Sequence, residues 1–270
     1  MSERYVIERD GGTLVGERWP GLGPLVVLLH EGISDRRGWR QVAELLAPQY
    51  PVVAYDRRGY GESPLSTGPF RHLDDLFAVL DREQAASAWL VGASAGGGLA
   101  LDAALAAPDR AAGLVVIGTA VSGAPEPELD PAAAEFDKLI DAAIAAGDLA
   151  EENRLETWLW LDGPSAAEGR IGGAARELAL DMNAIIIRNQ PPEADERTSA
   201  DAWHHLDEIQ LPVTVACGDL DLPFILERCR YLADHLPGSR FHELTGMAHQ
   251  PYLEDPAGVA NLIRTAIVAA

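Results

Sequence analysis

The stretch Trp89-Leu90-Val91-Gly92-Ala93-Ser94-Ala95-Gly96-Gly97-Gly98-Leu99-Ala100 joins an apolar, strand-like run to an Ala- and Leu-rich helical run through Gly-x-Ser-x-Gly. This is the sequence form of a nucleophile elbow, a serine on a strained turn between a strand and a helix. The helix crosses close behind such a serine, so its neighbours must be small, and Gly92, Gly96 and Gly97 meet that need. Backbone N–H groups at the start of the helix then face any negative charge that develops beside Ser94. The same residues would also suit a plain tight turn packed with small side chains. The rest of the chain therefore has to supply the partners that a serine nucleophile needs.

Composition narrows the setting. The chain has 270 residues, enough for one large α/β domain or a core with an insertion. A hydrophobic content of 47% and a mean hydropathy of -0.03 are those of a soluble globular protein. No apolar run approaches the length of a membrane span, and the start Met-Ser-Glu-Arg-Tyr is no signal peptide, so the expected location is the cytoplasm. A net charge of -21 argues against nucleic-acid and anionic-membrane partners. Lys138 is the sole lysine, a bias of the coding genome rather than a sign of chemistry. Cys217 and Cys229 are too few for a disulfide framework and lack metal-ligand spacing, so they read as buried free thiols, and no metal site is expected.

Strand-like stretches at Arg4 to Ile7, Thr13 to Trp19, Leu25 to Leu29, Val52 to Tyr55, Ala88 to Val91 and Ala111 to Gly118 alternate with helix-like stretches near Trp39 to Ala47, Leu73 to Gln84 and Gly96 to Ala107. This predicts a mostly parallel sheet covered on both faces. From Val121 to Leu206 only helical segments occur, at Ala132 to Ala146, Leu149 to Leu161 and Ala174 to Ile187. The alternation resumes with strands Val213 to Cys217 and Arg240 to Leu244 and helices Pro223 to Leu236 and Pro256 to Val268. The expected organisation is a core formed by residues 1–120 and 207–270, with a helical cap inserted at 121–206.

A serine hydroxyl needs a base, and the base needs an orienting acid. Asp221 follows the strand ending at Cys217, and His249 lies in the loop after the next strand. Both, like Ser94, fall beyond the carboxyl ends of strands, where open α/β sheets gather their catalytic groups. The candidate catalytic residues are therefore Ser94, Asp221 and His249. Asp219 competes with Asp221, which would also serve as a helix N-cap. An oxyanion hole is expected from the backbone N–H groups of Ala95 and Gly32, with Ile33 as an alternative to Gly32. His30 is expected to brace the loop that carries Gly32.

With these residues in place, the chain resembles the α/β-hydrolase superfamily over nearly its whole length. The resemblance rests on His30-x-Gly32 with Trp39, Asp56-Arg57-Arg58-Gly59-Tyr60-Gly61-Glu62-Ser63, the Gly92-to-Gly96 elbow, Gly218-x-x-Asp221, and His249 followed by Glu254-x-Pro256. The order Ser, Asp, His along the chain is also that of the superfamily. Within it the chain is similar to bacterial esterases and 3-oxoadipate enol-lactonase-like hydrolases. That resemblance implies an eight-stranded sheet, a cap after the sixth strand, and ester or lactone hydrolysis without a metal or organic cofactor. The loop commonly reads His-Gly, whereas Glu31 stands second here. An ionised carboxylate resists burial, so Glu31 is expected to face solvent or to pair with Arg36 or Arg37.

Substrate selection is expected to lie with the helical insertion. Ile33, Trp158, Met182 and Ile186 are candidate pocket residues, with Trp160, Leu161 and Ile185 beside them, although such residues at helical spacing also serve simply as packing. With no evident Arg or Lys cluster, a small, largely apolar ester or lactone is the expected substrate and the only partner inferred; a homodimer stays open. Carbon–carbon bond hydrolysis, amide cleavage and cofactor-free perhydrolysis use the same triad. A non-catalytic ligand-binding scaffold is the alternative from another class.

Overall fold

A computed structural model describes residues 2–191 and 200–270. Eight strands form one sheet: β1 (Glu3–Arg9), β2 (Gly12–Trp19), β3 (Val26–Leu29), β4 (Val52–Tyr55), β5 (Ala88–Ala93), β6 (Ala111–Ile117), β7 (Val213–Gly218) and β8 (Arg240–Leu244). Their order is β1-β2-β4-β3-β5-β6-β7-β8. Only β2 runs against the others, pairing antiparallel with both β1 and β4. The inner strands β3, β4, β5 and β7 are buried along their whole length, which is why they read as continuous apolar runs rather than alternating ones. The edge strand β8 carries Arg240, His242 and Glu243 and is partly exposed.

Side chains leave the sheet alternately. Val27, Leu29, Leu90, Leu114, Val116 and Val215 meet one layer of helices, namely α2 (His72–Arg82), α3 (Ala95–Ala106) and α7 (Pro223–His235). Val26, Leu28, Val91, Val115 and Ile117 meet the other, α1 (Arg40–Leu46) and α9 (Pro256–Val268). The period of two thus divides one apolar run between two cores.

Between β6 and β7 the chain makes α4 (Pro131–Ala146), α5 (Leu149–Thr157) and α6 (Gly173–Asn189), with α5 packed against both neighbours. Asp130 caps α4 through the N–H groups of Ala132 and Ala133, and Gly147 ends it in a left-handed conformation. The expected helix over Leu149 to Leu161 departs from α geometry after Thr157. Trp158–Asp162 winds as a π-turn closed by Gly163 at φ 99°. Buried Asp162 follows from that turn: it accepts from the N–H groups of Gly169 and Ile171 and pairs with Arg176 at 2.6 Å. A short helix, α8 (Pro251–Glu254), which has no periodicity to reveal it, connects β8 to α9. No helix among the described residues is long and apolar enough to cross a membrane.

Candidate active site

Ser94 occupies the junction of β5 and α3 at φ 48°, ψ -117°. This backbone conformation costs a non-glycine residue about 1–3 kcal/mol and has to be held by its surroundings. Ser94 N–H donates to the Ile117 carbonyl at 2.9 Å, and the Ser94 carbonyl accepts from Gly97, Gly98 and Ala120 N–H. The approach behind the turn is close: a Cβ on Gly92 would sit 2.5 Å from Gly97 N, and one on Gly96 would sit 2.6 Å from the Leu29 carbonyl carbon. Ala95 is the first residue of α3, so its N–H has no helical carbonyl to bond. Gly32, the other expected donor, borders open space.

Asp221 and His249, expected as acid and base, are brought together: His249 Nδ1 and Asp221 Oδ2 lie 2.7 Å apart, with both residues buried. Asp221 is itself held by Leu222 N–H at 2.7 Å. The competing Asp219 instead accepts from Gly246 N–H at 2.6 Å on the exposed side of the loop. A proton on Nδ1 directed at Asp221 leaves Nε2 as the working nitrogen. Burial alone would lower the pKa of His249, but the Asp221 carboxylate and then that of Glu31 outweigh it and raise the pKa to about 9. Gly118 lies at the meeting point. It follows the residue that binds Ser94 N–H, and a Cβ there would come within 3.0 Å of Asp221 and 3.1 Å of His249. Among the described residues, no hydrogen bond links the Ser94 hydroxyl to His249.

Glu31 corrects the sequence expectation. It neither faces solvent nor pairs with Arg36 or Arg37, but is 1% exposed, with Oε2 3.6 Å from His249 Nε2. The two arginines are engaged elsewhere. Arg36 bonds Asp56 and Glu62, and Arg37 bonds Asp35 and Asp181. The loop backbone is fixed from behind, as Arg57 donates to the Glu31 carbonyl at 2.7 Å. His30 braces it as expected: Nδ1 bonds the same carbonyl at 2.7 Å, while Nε2 accepts from Arg57 N–H. Burial, reinforced by the Arg57 charge, holds the pKa of His30 well below the usual histidine range. Glu31 is thereby turned inward, where Gln250 Nε2 donates to Oε1 and burial raises its pKa.

The α/β-hydrolase-fold family model matches residues 24–256, most of the chain. The chain belongs to the α/β-hydrolase family. It is 30% identical over 247 residues to a Neisseria meningitidis protein named pimeloyl-[acyl-carrier protein] methyl ester esterase, covering 88% of this chain and 91% of that one. Among solved structures, an esterase from Rhodococcus sp. ECU1013 superposes with a TM-score of 0.77 at 24% identity, covering 99% and 98% of the two chains. A bromoperoxidase from Bacillus anthracis also gives a TM-score of 0.77, at 19% identity and 99% coverage of both chains. The shared fold therefore does not choose among reactions.

In this α/β hydrolase the expected pocket residues divide. Met182 is fully buried, in the cluster that also contains Trp39, Leu161 and Tyr252. Trp158 donates its indole N–H to the Ala166 carbonyl and packs edge-on against Phe136, both contacts within the helical segment. Ile33 and Ile186 are partly exposed. Trp160 comes nearest to the candidate chemistry: its ring lies 4.6 Å from that of His249, and its carbonyl accepts His249 N–H. Three further residues had no signal of their own in the sequence. Gln250 holds Glu31, Gly118 makes room for the Asp221–His249 pair, and Arg170 ties the Leu161 and Gly246 carbonyls together while pairing with Glu254. Glu254 in turn accepts from Ala248 N–H, next to His249. Among the described residues, no cluster of three or more His, Cys, Asp or Glu side chains is suited to a metal ion.

Proposed function

We propose that the chain is a serine hydrolase that cleaves a small, largely apolar carboxylic ester or lactone through an acyl-enzyme on Ser94. The observation that carries this reading is the buried His249–Asp221 hydrogen bond of 2.7 Å, in a chain that also holds Ser94 at φ 48° at the end of β5. His249 Nε2 takes the Ser94 hydroxyl proton as Oγ bonds to the acyl carbon. Asp221 fixes the tautomer and stabilises the imidazolium. The N–H groups of Ala95 and Gly32 receive the oxyanion. The tetrahedral species collapses with cleavage of the acyl–oxygen bond, and the leaving oxygen takes the proton from Nε2; in a lactone that oxygen stays tethered. Water then attacks the acyl carbon while His249 takes its proton, and Ser94 Oγ departs with that proton.

Residues 121–206 act in this reading as a cap on the core formed by 1–120 and 207–270, with Trp160, Ile33 and Ile186 facing the acyl or alcohol portion. The Neisseria meningitidis relative, named as a methyl ester esterase, supports ester cleavage over the other uses of the triad. A panel of p-nitrophenyl esters and lactones tests the proposal. Repeated turnover by the native chain, lost in folded Ser94→Ala, is expected, whereas retained turnover in that variant would overturn it.

A further inference from the structure

His249 lies between two carboxylates. Asp221 holds Nδ1 at 2.7 Å, and on the other side Glu31 Oε2 lies 3.6 Å from Nε2, the nitrogen that has to serve Ser94. Glu31 is anchored for this position. Its Oε1 is held by Gln250, while Oε2 is buried without a hydrogen-bond partner among the described residues. A buried carboxylate oxygen is costly unless it is paired; the Tyr252 hydroxyl also faces this carboxylate, and its ionic partner is His249, whose Nε2 lies 3.6 Å from Oε2.

Resting on the acyl-enzyme reading, we propose that Glu31 is a positioning residue that acts through His249, taking the Nε2 hydrogen in competition with Ser94 and so holding the resting site in a proton-loaded form. The imidazolium between two carboxylates leaves the trio with one net negative charge. Ser94 gains a base only in the fraction of molecules that has lost the Nε2 proton.

Asp221 approaches His249 from the loop after β7, Cys229 from α7 and Glu31 from the loop after β3, all three favouring the cation, while the neutral Trp160 ring comes from the π-turn. Glu31 is faced by His249, by the Gln250 amide and Tyr252 hydroxyl, which favour its ionised form, and by Asp221, which opposes it. Arg57 is directed at the backbone carbonyl of Glu31. The sign follows. His249 is raised from an ordinary value of 6.5 to about 9, so it is protonated at neutral pH and becomes a base as pH rises through that value.

The test is an NMR titration of the histidine ring nitrogens in the native chain and in Glu31→Gln, with His249 assigned by its loss in His249→Gln. It is paired with the pH profile of kcat/KM, whose limb reports the free enzyme. The native His249 is expected to titrate near pH 9. In Glu31→Gln, both its titration and the kinetic limb should move down by about one unit or more, which raises kcat/KM at pH 7 relative to the native limb by about tenfold per unit. A merely structural Glu31 would scale activity equally at all pH values and leave the limb in place. Titration of the native His249 near 6.5, or a limb and titration unmoved in Glu31→Gln, would overturn the proposal. If Glu31→Gln does not fold, Gln250→Ala, which releases Oε1 of Glu31, takes its place, and a His249 titration and limb unmoved there overturn the proposal. That titration needs no turnover, so it stands apart from any failure of the acyl-enzyme reading, which active-site labelling of Ser94 tests.

Discussion

Gly92→Ala tests the steric logic that places Ser94. The added Cβ would lie 2.5 Å from Gly97 N and closer still to the Gly96 carbonyl, all backbone atoms of the elbow and the first turn of α3. Comfortable carbon contacts begin near 3.5 Å, so β5 and α3 would have to separate by about 1 Å. Overpacking of this kind costs about 1–3 kcal/mol. At about 2–4 °C per kcal/mol for a domain of this size, the Tm should fall by roughly 2–12 °C. A displacement of about 1 Å at a reacting group costs on the order of 100-fold in rate, so kcat/KM should fall by that amount in molecules that remain folded. Gly68→Ala is the control, since a Cβ there meets nothing within 4 Å. Thermal unfolding followed by circular dichroism, with p-nitrophenyl ester kinetics at 25 °C, measures both effects. A Gly92→Ala chain with the Tm and kcat/KM of Gly68→Ala would refute the reasoning.

Two other substitutions address the acid and the helical segment. Asp221→Asn presents an amide to His249 Nδ1 and favours the wrong tautomer, so kcat should fall by about 10³–10⁴-fold with an unchanged circular dichroism spectrum; a loss under tenfold would remove Asp221 from the proposed triad. Arg176→Ala leaves Asp162, with no exposed side-chain surface, bonded to two N–H groups but without its charge partner. Stranding such a carboxylate costs about 3–5 kcal/mol, less if the turn relaxes, and should lower the Tm measurably; an unchanged Tm would mean that water replaces the guanidinium.

The central sheet was legible because its inner strands are apolar without interruption; Ser94 and Asp221 stood out as candidates because each follows such a strand, whereas His249 follows the polar edge strand β8 and stood out by its place in the loop after it. Glu31 was misread for a physical reason. The rule that ionised carboxylates avoid burial holds one residue at a time, whereas burial here depends on His249 and Gln250, more than 200 positions away. The arginines close to Glu31 in sequence were already committed to Asp35, Asp56, Asp181 and Glu62, which the local sequence does not reveal. Helical periodicity carried α5 four residues too far because Trp158-Leu159-Trp160-Leu161 is as apolar in a π-turn as in an α-helix.

The most direct test of the acyl-enzyme account is covalent labelling with a fluorophosphonate, followed by peptide mapping in a mass spectrometer. The account predicts one phosphonyl adduct per chain, located on Ser94, with loss of ester turnover in proportion to labelling. A folded native chain that turns over esters while Ser94 stays unmodified would contradict it.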